Sequence, residues 1–271
     1  MPEPTLTPAV TTDAELLTQT EIAVRAAGSA LRDRFGDITT YRSREELMRA
    51  LAANDDTVTD LLRPRLEALR PDARWVEEEL DSGALPEGEW WVVDPAEGNV
   101  NHLHALPEWA VTATLVRDNQ PVLTVVHLPL TGQTYTARAG AGAHLDGHPL
   151  RVSATTDLGL AIVATSQARP DEGPDVVRRV GISITEMFLD ALVVRVAVPA
   201  TLHLVNVAAG RIDGFWQFAG ARADLLPGAL LVSEAGGRIT TADGRPWTPA
   251  SDSFLAGAPG IHAAATATLS R

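Results

Sequence analysis

The 271-residue chain contains no cysteine. Disulfides, thiolate catalysis and cysteine-ligated zinc are therefore excluded. The sequence also lacks a run of about 18 apolar residues, so no membrane-spanning helix is predicted. Its first residues have neither a basic start nor an apolar segment, and so they are not typical of a secretory signal peptide. These absences predict a cytoplasmic protein that does not bind a membrane.

Positive charge is scarce. The chain has 22 Lys and Arg residues against 35 Asp and Glu residues, which gives a net charge of −13 and an isoelectric point near 4.9. Such a field repels phosphate backbones, so nucleic acids and anionic membranes are disfavoured as partners. A small phosphorylated substrate would meet the same repulsion, and a bound divalent metal ion would bridge the two.

The composition is that of a folded protein, with 45% hydrophobic and 21% charged residues and no repeat or low-complexity tract. A sizeable core is therefore expected. We predict a flexible N-terminal tail over residues 1–11 and a single folded unit over residues 12–271. Its N-terminal α+β half spans roughly 12–150 and its C-terminal α/β half spans 151–271.

Helix signals occur in both halves of the chain. Thr12 and Glu15 have the spacing of a capping box, and Gly36 is predicted to end the helix that they open. A second amphipathic stretch contains Pro64, which is expected to kink or interrupt it. Two more helices are predicted over residues 200–209 and 224–235.

Strand-like segments alternate with these helices. They are predicted at residues 90–93, 110–116, 121–127, 133–138, 161–165, 193–197, 212–216 and 254–256. No glycine-rich phosphate-binding fingerprint accompanies them, so a Rossmann sheet is not expected. Antiparallel-looking strands mixed with helices favour an α+β layered sandwich.

The clearest candidate site begins where a strand ends at Asp94. Pro95 is expected to force a turn, which brings Glu97 back beside Asp94. Two close carboxylates repel each other unless a cation lies between them, and a hard divalent ion with oxygen ligands suits that role. Gly98 and Asn99 then offer backbone N–H groups to an anion at a possible helix start. The alternative is an ordinary Asp-Pro turn with a solvated glutamate.

Two further acidic segments are ambiguous when each is taken by itself. Asp224 precedes an apolar helix, where it would serve as an N-cap. Glu77, Glu78 and Glu79 form a charge run that is usually solvated. Either segment would contribute metal ligands only if the chain brought it close to Asp94.

In their order along the chain, these segments resemble the inositol monophosphatase family over about residues 15–260. The family carries Gly-Glu-Glu, then Trp-x-Ile-Asp-Pro-Leu-Asp-Gly-Thr-x-Asn-Phe, and later Trp-Asp-x-Ala-Ala-Gly ahead of Glu-Ala-Gly-Gly. The matching segments here are Glu77-Glu78, Trp91 to Asn101, and Asp224 to Gly237. Further matches are Asn101, His104 and Pro107, the hairpin at 136–143, and the segment 207–216.

The resemblance implies a layered αβαβα sandwich, usually homodimeric, that hydrolyses a small phosphomonoester with Mg²⁺ or Mn²⁺. The implied metal-binding residues are Glu78 (with Glu77 as the alternative), Asp94, Ala96 through its carbonyl, Glu97 and Asp224. The implied substrate-binding residues are Gly98, Asn99, Ala200, Gln217 and Asp224. Catalytic roles fall to Glu78, Asn99 and His102.

Several positions depart from the family pattern near the water and the metal. Glu97 replaces an aspartate and is one methylene longer, whereas magnesium tolerates little error in its octahedral shell. Asn99 replaces the threonine that positions the attacking water. The aspartate that partners this threonine, in an Asp-x-x-Thr segment, is not recognisable: Arg49 and Ala52 occupy those positions, with Glu46 nearby. The water-positioning pair is therefore predicted to be lost.

The positions implied to bind substrate also depart from the family pattern. The family's Gly-Ser-Ala reads Val198-Pro199-Ala200, and a proline cannot donate a backbone N–H. Gln217 stands in place of a sugar-binding glutamate, and Ala223 replaces a tryptophan. His102 replaces a phenylalanine and brings a titratable ring towards the site, unless it is simply a partly exposed loop histidine.

Three functions are compatible with this pattern. The first is metal-dependent hydrolysis of a small phosphomonoester other than inositol monophosphate. The second is a repurposed enzyme, as in specialised metabolism, that performs cyclisation, dehydration or other acid–base chemistry with its carboxylates and His102. The third is a catalytically silent small-molecule binder, stabilised by its ligand without converting it.

Overall fold

The computed structural model describes residues 12–36, 40–77, 83–168, 172–218 and 222–271. Glu78 and the tail predicted for residues 1–11 lie outside these ranges. Within them, no helix is both long enough and apolar enough to cross a membrane.

The helices of the described residues are α1 (Asp13–Arg32), α2 (Arg44–Leu69), α3 (Asn99–Leu103), α4 (Pro174–Asp190), α5 (Ala200–Ala208), α6 (Arg222–Glu234) and α7 (Pro259–Leu269). Sequence analysis predicted neither α4 nor α7. In α4, Gly181 and several β-branched residues lower the intrinsic helix propensity. Burial of Val180 and Met187 on one side of α4 compensates for that weakness.

The predicted start of α1 is confirmed, because the Thr12 hydroxyl accepts a hydrogen bond from the Glu15 backbone N–H at 3.2 Å. The helix nevertheless ends at Arg32, four residues before Gly36. Of the kink or interruption predicted at Pro64, the interruption is wrong, since α2 is continuous to Leu69. Proline in a helix interior costs about 3 kcal/mol. Burial of three apolar side chains of α2 outweighs that cost: Val58, Leu62 and Leu66.

The first sheet follows chain order: β1 (Arg74–Trp75), β2 (Glu89–Glu97), β3 (Ala110–Arg117), β4 (Gln120–Leu128), β5 (Gln133–Arg138), β6 (Ala143–Leu145) and β7 (His148–Pro149). Its pairs are antiparallel except β1 with β2. The second sheet contains β8 (Ile162–Thr165), β9 (Val193–Val196), β10 (Gly214–Phe218), β11 (Arg238–Thr240) and β12 (Ser253–Gly257). It is mixed, with the order β11-β12-β10-β8-β9.

These elements form five layers. Helices α1 and α2 cover one face of the first sheet, around a core that includes Leu16, Leu62 and Trp91. Helices α5 and α6 lie between the two sheets and contact both. Helices α4 and α7 cover the far face of the second sheet. The predicted αβαβα sandwich is confirmed.

The end of β2 departs from regular strand geometry. Asp94 pairs with Thr112 while Glu97 pairs with Ala110, so the β2 segment contains one more residue than its partner. In a regular strand, residues three positions apart point to opposite faces. The extra residue forms a β-bulge, which restores Glu97 to the face occupied by Asp94. The turn predicted at Pro95 is therefore a bulge within a continuing strand, where a missing N–H donor is tolerated.

Candidate active site

A cluster of three carboxylates lies at the junction of the layers. Asp94, Glu97 and Asp224 each place an oxygen within 4.8 Å of the others. Asp94 and Glu97 are 5% and 3% exposed, and Asp224 is half-buried. Asp224 lies inside the first turn of α6 rather than at the N-cap position, because the helix begins at Arg222.

The carboxylates are held by groups from β2 and α5. The backbone N–H of Ala96 donates to Asp94 Oδ1 at 2.9 Å. The Thr201 hydroxyl lies 2.8 Å from Glu97 Oε2 and 2.8 Å from the Asp224 carbonyl oxygen. Sequence analysis missed Thr201, whose only signal was its position next to Ala200 at a predicted helix start. This hydroxyl links the bulge of β2 to the first turn of α6.

The donor set fits a hard divalent cation. Such ions take carboxylate and carbonyl oxygens as ligands, and the cluster supplies three carboxylates without histidine or sulfur. Ala96 lies between Asp94 and Glu97 in the bulge, and it lines the cleft into which the three carboxylates face. The bulge brings Glu97 to the cluster despite its extra methylene.

The carboxylates line a cleft of about 400 Å³. The residues predicted to contact substrate also line it: Gly98, Asn99, Ala200, Gln217 and Asp224. Gln217 accepts a hydrogen bond from the Ser166 hydroxyl at 2.6 Å. Apart from Glu77, the structure thus brings together the candidate metal-binding and substrate-binding residues that lie in its described ranges.

Gly98 is the N-cap of α3 and has a left-handed backbone conformation, with φ of 81°. A Cβ atom at this position would lie 2.6 Å from the Glu108 carbonyl oxygen. Glycine is therefore required both for its φ and for this close approach. The helix start predicted at this point is confirmed, and it brings Asn99 to the cleft.

The Asn99 side chain has an acidic partner that sequence analysis did not find. Its Nδ2 donates to Asp55 Oδ1 at 2.8 Å and to the Leu51 carbonyl oxygen at 3.1 Å. Asp55 follows Ala52 by three residues on α2, so the two positions share one side of the helix. Asn99 therefore has an acidic hydrogen-bond partner in Asp55, although no Asp-x-x-Thr segment was recognised in the sequence. The helical spacing between Ala52 and Asp55 was the signal that could have revealed Asp55 as the partner of Asn99.

Asp55 lines the same cleft as the carboxylate cluster. Burial raises the pKa of its carboxyl group to about 6. The hydrogen bond from Asn99 opposes this shift, and the neighbouring charge of Asp56 adds to it. Asp55 is thus a carboxylate that changes protonation close to neutral pH.

His102 lies behind Asn99 and is not among the residues that line the cleft. Its ring nitrogens lie 3.0 Å from the Leu31 carbonyl oxygen and 3.1 Å from Asn54 Nδ2, and burial lowers its pKa. The neutral tautomer with a proton on Nε2 satisfies both contacts. His102 is 3% exposed and lies within α3, so the expectation of a partly exposed loop histidine is wrong.

The remaining candidate residues of the described ranges lie outside the cleft. Glu77 forms a two-point ion pair with Arg63, at 2.8 and 3.0 Å, on the protein surface. Glu46 lies at the start of α2, where its backbone N–H donates to the hydroxyl of the N-cap Ser43 and its carboxylate accepts from the Arg42 N–H. Arg49 pairs with Glu45 at the surface. Neither Arg49 nor Ala52 lines the cleft.

Comparisons with known proteins agree with this geometry. The model of the inositol monophosphatase family matches residues 13–271. An inositol-1-monophosphatase of Rhizobium meliloti is 33% identical over 224 residues, which cover 82% of this chain and 84% of that protein. Inositol monophosphatase 2 of Mus musculus is 31% identical over 232 residues, with coverages of 83% and 79%.

Among solved structures, Mycobacterium tuberculosis SuhB aligns with a TM-score of 0.79 and 27% identity, covering 97% of this chain and 98% of that one. The family-model match over residues 13–271 contains both sheets, the bulge of β2 and the first turn of α6. By fold and by sequence, this chain belongs to the inositol monophosphatase family.

Proposed function

We propose that this protein is a metal-dependent phosphatase that hydrolyses a small phosphomonoester other than inositol monophosphate. The observation that carries the proposal is the cluster of Asp94, Glu97 and Asp224, whose oxygens lie within 4.8 Å of one another in an open cleft. A divalent ion, Mg²⁺ or Mn²⁺, would neutralise the substrate phosphate and lower the pKa of a bound water.

The chain's own residues divide the remaining tasks. Asp94, Glu97 and Asp224 would hold the ion, with Glu78 and the Ala96 carbonyl as further candidate ligands. The backbone N–H groups of Gly98 and Asn99 would bind the phosphate at the start of α3. In a chain of net charge −13, the ion also overcomes the repulsion between protein and substrate.

The walls of the cleft support a substrate with fewer hydroxyl groups than inositol. Met48, Val100 and Val198 line it and remain 52%, 50% and 39% exposed. Pro199, which has no N–H, lies beside them, and the neutral Gln217 is already hydrogen-bonded to Ser166. A polyol loses affinity where its hydroxyl groups lack partners. A phosphate ester of a less hydroxylated alcohol fits these walls better.

A panel of phosphate esters tests the proposal. With Mg²⁺ or Mn²⁺, we expect kcat/KM for alkyl or aryl monophosphates to exceed that for inositol monophosphate by about tenfold or more. Phosphate release by each ester measures this, and a sample treated with chelator serves as the control. Correctly folded protein that releases phosphate from no sugar, nucleotide, polyol, alkyl or aryl phosphate would refute the proposal.

Non-hydrolytic chemistry is less well supported. It was motivated by the apparent loss of the water-positioning pair and by a histidine near the metal site. Asp55 partners Asn99, and the His102 ring makes its contacts behind the cleft. Both observations favour hydrolysis.

We also propose that the homodimer implied by the family forms through α4 and β9. Phe188, Leu189 and Leu192 are 61%, 73% and 60% exposed and adjoin β9, an edge strand of the second sheet. Exposed apolar patches beside an open sheet edge are typical of association surfaces. The cytoplasmic location stays a prediction.

A double substitution of Phe188→Glu and Leu189→Glu is expected to convert the dimer to a monomer, because it places charges in the apolar surface. Sedimentation velocity measures the mass of each species. Ile22→Glu, at a 57% exposed apolar position on α1, is the matched control and should leave the mass unchanged. A double variant that sediments as a dimer would contradict this assignment of the interface.

A further inference from the structure

We infer that Thr201 is a positioning residue of the metal site, which holds the carboxylate of Glu97 and thereby favours Mg²⁺ or Mn²⁺ over Ca²⁺. This inference rests on the proposed metal-dependent function. Thr201 lies near the start of α5 with 0% of its surface exposed, and it is not among the residues that line the cleft. It therefore acts on the site through the carboxylate that its hydroxyl contacts, and not by touching substrate.

Glu97 needs such a partner because of its length. The bulge of β2 sets the direction of the Glu97 backbone, but a glutamate has one more rotatable bond than an aspartate, so its carboxylate has more positions to sample. Magnesium tolerates little displacement of a ligand from octahedral geometry. Glu97 Oε2 lies 2.8 Å from the Thr201 hydroxyl, the usual distance of a hydrogen bond between two oxygens. This bond holds the end of the side chain, which the bulge by itself does not orient.

The second contact of the Thr201 hydroxyl relates Glu97 to the other segment of the cluster. Its Oγ1 also lies 2.8 Å from the backbone carbonyl oxygen of Asp224. Threonine is β-branched, which restricts the rotation of its side chain. Helices α5 and α6 also pack against each other between the sheets. Thr201 therefore sets the Glu97 carboxylate relative to the turn of α6 that carries Asp224.

The hydroxyl also affects how Glu97 can bind an ion. Thr201 has one proton to donate, and both of its partners are acceptors. A hydrogen bond to an ionised carboxylate is stronger than one to a neutral carbonyl, so the proton is directed mainly to Glu97 Oε2. An oxygen engaged in this way is a poorer ligand, which disfavours binding of one ion by both oxygens of the carboxylate.

This property distinguishes among divalent ions. Ca²⁺ has a flexible coordination shell and accepts both oxygens of one glutamate. Mg²⁺ demands near-ideal octahedral geometry, and the two oxygens of a single carboxylate lie too close together for it. By engaging Oε2, Thr201 favours the ion that takes one oxygen from Glu97.

Thr201→Val removes the hydroxyl and keeps the size and branching of the side chain. We expect it to weaken Mn²⁺ binding to the full chain by about tenfold or more in calorimetric titration, because groups that orient a metal ligand commonly contribute about 10–100-fold to affinity. Ca²⁺ binding should weaken less, so the ratio of Mn²⁺ to Ca²⁺ affinity should fall by about threefold or more. Thr201→Ser keeps the hydroxyl and should retain Mn²⁺ affinity within about threefold of the wild type.

A Glu97→Asp background isolates the contact between the two side chains. The shorter aspartate withdraws its carboxylate from the Thr201 hydroxyl. Adding Thr201→Val in this background should therefore weaken Mn²⁺ binding by no more than about threefold further. Thr201→Ala carries the same test if Thr201→Val does not fold, which urea denaturation of each variant shows.

Thr240→Val is the matched control. Thr240 is 5% exposed, and its hydroxyl also has two partners, the Thr241 carbonyl oxygen at 2.7 Å and His262 Nε2 at 3.2 Å. None of these residues lines the cleft. This variant should lose stability, as any loss of a buried hydrogen bond does, and should bind Mn²⁺ and Ca²⁺ as the wild type does.

The outcomes separate this inference from the phosphatase proposal. Thr201→Val with wild-type Mn²⁺ affinity, or with equal losses in the wild-type and Glu97→Asp backgrounds, would overturn the positioning role alone. Equal weakening of Mn²⁺ and Ca²⁺ binding would overturn the ion preference. A wild-type protein that binds no Mn²⁺ would overturn both proposals. A protein that shows the expected coupling but hydrolyses no phosphate ester would overturn only the phosphatase proposal.

Discussion

Asp94→Asn is expected to lower kcat for phosphate release by about a hundredfold to a thousandfold and to weaken Mn²⁺ binding severely. Asp94 is 5% exposed and shares its surroundings with two other carboxylates. An amide keeps the shape of the side chain but loses the negative charge that holds a cation. Removing one strong electrostatic contact to the transition state commonly costs this much in kcat. Steady-state kinetics and calorimetric Mn²⁺ titration measure the two effects.

Asp213→Asn is the matched control for Asp94→Asn. Asp213 is also buried, but its carboxylate accepts hydrogen bonds from the Ser153 hydroxyl at 2.5 Å and from the Ile162 backbone N–H at 2.7 Å. Its substitution should lower stability and leave Mn²⁺ affinity unchanged. If Asp94→Asn binds Mn²⁺ as the wild type does and keeps kcat within about threefold, the carboxylate cluster is not the metal site.

Gly98→Ala is expected to lower the free energy of unfolding by about 3 kcal/mol. A left-handed backbone costs a residue with a Cβ roughly 1–2 kcal/mol, and overpacking adds about 1–3 kcal/mol. The second contribution arises because the new Cβ would lie 2.6 Å from a backbone oxygen that has little freedom to move. Hydrolysis should fall as well, since α3 carries Asn99. Urea denaturation followed by circular dichroism measures the stability change.

Gly132→Ala separates the two contributions to the Gly98 effect. Gly132 also has a positive φ, of 74°, but its Cβ would meet no atom within 4 Å. This control should therefore cost only about 1–2 kcal/mol, the backbone contribution alone. Equal losses in the two variants would show that the close approach to Glu108 does not matter.

Local sequence patterns were sufficient to predict most strands and the start of α1. The strand-like segments 110–116 and 121–127 became β3 and β4, and the spacing of Thr12 and Glu15 became a hydrogen-bonded N-cap. These features depend on residues that are neighbours in sequence. The error at Pro64 has the opposite cause, because there the packing of α2 on the first sheet outweighed a local stop signal.

In the candidate site, too, local sequence predicted some features and missed others. The identity of Asp94, Glu97 and Asp224 as a set followed from family-like motifs, whereas the partner of Asn99 did not. Asp55 is 44 residues away from Asn99 in sequence, and the hydrogen bond between them forms only when α2 packs beside α3. His102 was misjudged for the same reason, since its contacts with Leu31 and Asn54 come from α1 and α2.

The sequence by itself determined the layered fold, the family and three carboxylates of the candidate site, because each of these follows from short motifs or from the order of helix and strand segments. Only the tertiary structure decided the geometry of the site. The bulge in β2 aligns Glu97 with Asp94, and the packing of α2 on α3 delivers Asp55 to Asn99. Both depend on contacts between distant segments, whose register and side-chain direction no local pattern specifies.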